Sequence, residues 1–140
     1  MHNTLHVPIA DDLIFQDGDG IALLGSRERA TNRFCFPART VDDTRYDRVV
    51  LPRTGRLWSW TVQRFRPKSP PYAGSEAFEP YAVGYVELEG ALIIEGRLVD
   101  VAFDDLAIGM AMRIVPLPFE MLDGSLRTSF GLAPDRDSGI

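Results

Sequence analysis

Residues able to do acid–base, nucleophilic or metal chemistry are scarce in this 140-residue chain. Its two histidines, His2 and His6, fall in the first six residues, where chains are commonly poorly ordered. A Ser–His or Cys–His pair therefore lacks a base unless that segment folds back. The single cysteine, Cys35, excludes an internal disulfide and a cysteine-only zinc site. Between Phe34 and Phe36 it reads better as a buried, inert thiol than as a nucleophile. Paired carboxylates occur at Asp42-Asp43 and Asp104-Asp105. Adjacent strand residues point to opposite faces, and both pairs lie in turn sequences, which favours solvated turns over an acid–base pair. There is no Gly-x-Ser-x-Gly elbow, no phosphate-cradling glycine loop and no complete calcium loop around Asp17 and Asp19. Trp58 and Trp60 offer faces on which nucleobases stack, but their continuation into Val62 favours a barrel core.

The cations are more suggestive than the acids. The net charge is -5, yet residues 27–68 hold eleven basic side chains against four acids, and the rest of the chain is strongly acidic. Such polarity steers anionic groups toward one face. Arginine supplies fourteen of the fifteen cations, which suits forked contacts with phosphate or carboxylate. Alternate strand residues that put arginines into water would give the same pattern. The acidic total argues against a general nucleic-acid binder.

The elements that would position these groups read as strands. Asp17-Gly18-Asp19-Gly20 is a turn signal, followed by apolar residues 21–24. One or two helical turns are compatible with residues 11–15. Residues 33–36 form a short run closed by Pro37. Residues 49–51 lead through Pro52-Arg53-Thr54-Gly55 into the longest strand, residues 56–66. There a period of two places Trp58, Trp60 and Val62 on one face and Ser59, Thr61 and Gln63 on the other. Residues 67–80 hold four prolines and read as a long loop. Residues 81–88 and 91–99 form a hairpin about Glu89-Gly90, with Leu92, Ile94 and Leu98 on one face. Gly84 and Gly96 mark places where this sheet coils or bulges. A short helical turn at residues 104–109, a long strand at 110–119 and a short one at 126–131 complete the chain, with a polar, frayed tail from Pro134.

With 45% apolar residues, this is the material of one ordinary domain. No apolar run approaches the roughly 20 residues that span a bilayer, and residues 1–12 lack a secretion signal. A soluble, cytoplasmic protein is expected. Five or so long strands fit a small closed barrel, which removes the edges an open sheet exposes. A two-sheet sandwich satisfies the same pattern.

Five segments, in order and spacing, resemble one family. They are Leu24-Gly25-Ser26-Arg27, Phe36-Pro37-Ala38-Arg39, residues 55–62 (Gly-Arg-Leu-Trp-Ser-Trp-Thr-Val), residues 80–88 (Pro-Tyr-Ala-Val-Gly-Tyr-Val-Glu-Leu) and residues 105–110 (Asp-Leu-Ala-Ile-Gly-Met). The resemblance is to the acyl-CoA-associated OB-fold proteins, whose barrel follows a rubredoxin-like zinc ribbon. It implies an all-β fold, with a small OB-fold-like barrel over residues 49–133 and a degenerate, metal-free ribbon-like lobe over 21–48. An N-terminal segment, 1–20, and a tail, 134–140, flank them. The family ribbon has two C-x-x-C knuckles, and their places fall on Glu28, Thr31, Asp42 and Arg45. Structural zinc wants thiolates or imidazoles, so these positions are read as lost ligands and no cofactor is expected. Pairing of Arg45 with Glu28 or Asp42 would replace little of the metal: a surface ion pair supplies about 0–1 kcal/mol, structural zinc roughly 10–16. Packing of Phe34, Phe36 and Tyr46, or a partner's surface, is expected to contribute more.

The resemblance implies a non-catalytic accessory subunit of a thiolase-like or hydratase-type acyl-CoA enzyme, one that contributes to the complex and its CoA-ester channel. CoA carries phosphates, for which Arg39, Arg64 and Arg66 are candidate forks. The same arginines also suit an acidic subunit face. Pro71 and Tyr72 in the long loop are candidate partner contacts. No catalytic residue is assigned. The alternative is an OB-fold module for single-stranded nucleic acid. A stand-alone acyl-CoA enzyme fails for want of a base.

Overall fold

The computed structural model describes residues 13–18, 20–64 and 79–135. Nine strands follow one another: β1 (Ile14–Asp17), β2 (Gly20–Glu28), β3 (Phe34–Cys35), β4 (Tyr46–Val50), β5 (Thr54–Gln63), β6 (Tyr81–Leu88), β7 (Ile93–Leu98), β8 (Ala111–Glu120) and β9 (Leu126–Pro134). Among the described residues the helical content is a single 3-10 turn, Phe103–Asp105, one residue earlier than expected.

The first four strands make a small antiparallel sheet in which β2 is shared by β1, β3 and β4. The Asp-Gly-Asp-Gly turn closes the β1–β2 hairpin at Asp17↔Gly20, and Gly20 takes the positive φ of 118° that this tight return demands. Described residues 13–15 are therefore not helical: Ile14 and Phe15 pair with Leu23 and Ala22. Non-local pairing overrides a short local pattern.

The remaining strands close a five-stranded barrel in the order β5-β6-β7-β9-β8, and β8 returns to β5. All neighbours are antiparallel except β7 and β9, which run parallel at Arg97↔Gly131 and Leu98↔Leu132. This closure settles the choice between barrel and sandwich and gives an OB-fold arrangement. Strand β6 occupies residues 81–88 as read from the sequence, and on β7 Ile94 and Leu98 face inward. Strand β9 runs past residue 131 to Pro134, which is buried and paired with Met112, so the ordered chain outlasts the expected start of the tail.

One core serves both sheets. Ile14, Ile21, Leu23 and Leu51 join Leu57, Val86, Leu88, Ile94, Leu98, Met112, Ile114 and Leu132 in a single apolar cluster. Phe34 and Phe36 pack against it, and Phe36 meets Phe130 of β9 edge to face at 5.9 Å. A forked ion pair, Arg53 Nη2 to Asp17 Oδ2 at 2.7 Å, ties the β1 hairpin to the approach to β5.

Candidate functional site

Of the four positions equated with ribbon cysteines, two bond to each other and one to a neighbouring carboxylate. Thr31 Oγ1 donates to Glu28 Oε1 at 2.6 Å, within a turn closed by the Asn32 N–H on the Glu28 carbonyl. Arg45 forks onto Asp43 with two 3.0 Å bonds, and this pair replaces the expected partners Glu28 and Asp42. The reason is local: Asp43 Oδ1 already accepts the Arg45 N–H at 3.3 Å, so the turn delivers the carboxylate to the guanidinium. That guanidinium holds the Asp43 carboxyl below its usual pKa. Asp42 stands exposed. Two carboxylates, a hydroxyl and a guanidinium do not fit zinc. Among the described residues no group of three or more His, Cys, Asp or Glu could hold a metal ion.

Polar and ring contacts span the two knuckle regions instead. Arg29 Nε donates to Asp47 Oδ1 at 2.9 Å and the Arg29 N–H to the Arg45 carbonyl at 3.0 Å. The Arg29 hydrogen bond lowers the Asp47 pKa. Tyr46 is not a core residue as expected. Its ring lies 5.1 Å from the Arg39 guanidinium and 5.5 Å from that of Arg45, so it stacks under cations.

Arg39 is fixed from three directions. Its N–H donates to Ser26 Oγ at 2.8 Å, its carbonyl accepts from Arg48 Nη2 at 3.3 Å, and its guanidinium lies over the Tyr46 ring. Cys35 is half-buried rather than buried, on a strand β3 only two residues long. Arg64, at the end of β5, lies 5.9 Å over the Phe103 ring on the barrel. Arg39 and Arg64 are thus held on different rings in different sheets. Arg66, Pro71 and Tyr72 lie outside the described residues.

The largest departure from the sequence reading is at Trp58. Leu57 pairs with Val86 and Ser59 with Tyr85, so Trp58 is an extra residue in a β-bulge. The bulge shifts the inward phase from Gly55 and Leu57 to Trp60 and Val62, which pack against the core. Trp58 is turned outward and 60% exposed. Beside it Tyr85 is exposed, and the Glu95 carboxylate opposite it raises the phenol's pKa. The turn carrying exposed Ile108 is locked to the bulge: the Gly109 N–H donates to the Leu57 carbonyl at 2.7 Å and the Leu57 N–H to the Met110 carbonyl at 2.9 Å. Arg56 Nη1 donates to the Gly109 carbonyl at 3.3 Å. Ile93 on β7 extends the exposed apolar strip. Gly84 and Gly96, read as places where the sheet coils or bulges, are paired directly with each other without a bulge.

The order of the closed barrel and its one parallel pair agree with a family match: residues 48–116 match the model of the ChsH2 C-terminal OB-fold domain. That match takes in 69 of the 140 residues, just under half of the chain. The chain is similar to a DUF35 domain-containing scaffold protein of Methanocaldococcus jannaschii, 28% identical over 98 residues, with 66% of each chain covered. The match thus spans just under two thirds of that curated relative. A solved structure named "Ltp2-ChsH2(DUF35) aldolase" superposes with a TM-score of 0.60 at 25% identity, over 81% of this chain and 84% of that one. The matched residues include the bulge at Trp58 and the Ile108 turn.

Proposed function

We propose that this chain is a non-catalytic accessory subunit of a thiolase-like acyl-CoA enzyme, and that it helps assemble the complex and border its CoA-ester channel. The observation that carries this is the likeness, over four fifths of the chain, to a structure whose name joins a ChsH2 (DUF35) protein to an aldolase. A scaffold is also what the Methanocaldococcus jannaschii relative is named. The side chains agree. The described carboxylates of the lobe are occupied by arginines or a threonine, or stand singly in solvent, and no described group is placed as a base beside a nucleophile. The chemistry would lie on the partner, with Arg39, Arg64 and Arg66 as candidate contacts to the anionic CoA moiety.

Co-purification with the thiolase-like enzyme of a neighbouring gene tests the reading. A stable complex is expected, with acyl-CoA turnover that falls when this chain is withheld. A monomer that ignores every acyl-CoA enzyme encoded beside it would refute it.

The nucleic-acid alternative gains one exposed indole from the bulge but meets an unsuitable face. OB-folds bind strands across their second and third barrel strands. Here that outer surface presents Glu87 and Glu95, and its Tyr81 ring is covered by Arg97 at 4.4 Å. Labelled single-stranded oligonucleotide at low salt is expected to show no binding; a salt-sensitive shift would favour this alternative.

A further inference from the structure

We infer that the bulged face around Trp58 is the surface that docks the enzyme subunit, and that its occupant is a protein face with an apolar pocket ringed by basic residues. This rests on the accessory-subunit reading and adds to it the place and chemistry of contact.

Three observations lead there. An indole 60% exposed forgoes much of the stabilisation its burial would give, and the chain exposes it by inserting one residue into a strand that is otherwise in register. Bulges re-aim side chains, and this one re-aims the residue type most enriched at interface hot spots. The patch is also rigid. Two backbone hydrogen bonds and the Arg56 contact fix the Ile108 turn against the bulge. Side chains held in place before contact lose little freedom on binding. Finally, the lobe meets the barrel elsewhere, through β2 on β8 and Phe36 on Phe130. Among the described residues nothing covers Trp58, Tyr85, Ile93 and Ile108.

Charge selects the occupant. Residues 51–64 and 79–135 carry ten acids and six arginines, whereas residues 21–50 carry six arginines and four acids. Exposed Glu87 and Glu95 flank Tyr85, and exposed Asp104 and Asp105 stand on the segment leading to Ile108. Of the cations nearby, Arg56 is engaged by the Gly109 carbonyl and Arg97 lies over the Tyr81 ring. A neutral or acidic partner would strand these carboxylates, whereas lysines and arginines around an apolar pocket would satisfy them.

The chain has two tryptophans, so a 5-fluorotryptophan-labelled Trp60→Phe variant reports Trp58 by one fluorine resonance against the unlabelled enzyme. On adding the thiolase-like enzyme the resonance is expected to shift and lose its H2O/D2O isotope effect. Should Trp60→Phe fail to fold, the wild-type chain gives two resonances, assigned with Trp58→Phe. Trp58→Ala is expected to weaken binding at least about 30-fold. Leu122→Ala, at a distant site 94% exposed, should stay within about twofold. Asp104→Lys with Asp105→Lys should weaken binding, and so should added salt. A complex in which Trp58 keeps its isotope effect, or in which Trp58→Ala binds normally, overturns the inference and leaves the accessory reading standing. Absence of any complex removes both. A Trp58-dependent dimer of the chain alone would assign the face to a second copy and also overturn it.

Discussion

Gly55 offers the sharpest test of the barrel's geometry. It lies where β5 is paired on both sides, opposite Leu88 of β6 and Met112 of β8. A Cβ added there falls against the Glu87 carbonyl oxygen, 2.8 Å from its carbon and 3.0 Å from Leu88 Cα. These are ladder atoms that cannot rotate aside, so Gly55→Ala has to part β5 from β6, next to the β5–β8 pairing that closes the barrel. At Gly84 an added Cβ meets Leu98 Cδ2 at 2.8 Å and Leu57 Cδ1 at 3.0 Å, the ends of side chains that can turn. Overpacking costs roughly 1–3 kcal/mol, more where backbone must move. Gly55→Ala is therefore expected to cost about 3 kcal/mol and Gly84→Ala about 1–2, the lost chain freedom of glycine offsetting both by a similar few tenths. With a urea m-value of about 1.5–2 kcal/mol/M, the Gly55→Ala midpoint falls by about 1.5–2 M. Urea titration followed by far-ultraviolet circular dichroism reads both variants. If Gly55→Ala proves as stable as Gly84→Ala, the close approach of β5 and β6 at this seam is wrong.

Ser26→Ala removes the acceptor of the Arg39 N–H from a residue 1% exposed, and should cost about 1 kcal/mol, with faster amide exchange at Arg39. Phe36→Ala deletes the ring that meets Phe130 and should cost about 2–3 kcal/mol in the same urea titration, destabilising lobe and barrel in one transition. Asp43 and Asp47 have folded pKa values lowered by Arg45 and Arg29. Their contribution is therefore present above the unfolded value of about 3.9 and is lost as pH falls through the lower folded values. Stability should be flat in this respect from pH 7 to 5 and drop below about pH 4, less steeply in Asp43→Asn/Asp47→Asn. Chelator should leave the thermal melt unchanged, and elemental analysis should find no stoichiometric zinc; one bound zinc per chain would refute the reading of Glu28, Thr31, Asp42 and Arg45.

What the sequence carried most clearly was local. Tyr81–Leu88 and the face shared by Ile94 and Leu98 follow from alternation alone, bounded by proline before and Glu-Gly after. What it concealed depends on pairing partners. Trp58 obeys the alternation of its own strand, and nothing within β5 says that β6 supplies one residue, Tyr85, opposite two. Strand β9 looks finished at residue 131 because Ala133 and Pro134 are weak strand formers, yet pairing to β8 buries both. Arg45 chose Asp43 over Asp42 because a side-chain turn reaches two residues, a geometry hidden when adjacent carboxylates look equivalent.

The lobe raises an energetic question that its ion pairs do not answer. Exposed pairs such as Arg29–Asp47 and Arg45–Asp43 contribute far less than the roughly 10–16 kcal/mol of a structural zinc. The difference is met by belonging to a larger core. Leu23 and Leu51 are essentially inaccessible to solvent in the same cluster as Leu57 and Met112, and Phe34 and Phe36 close over it. A ribbon that folds around its own metal can stand as a separate unit; this lobe is stabilised by the barrel it covers. Its arginines still join the two turns of the lobe, while the Trp58 strip, which no described residue covers, is left for contact with a partner.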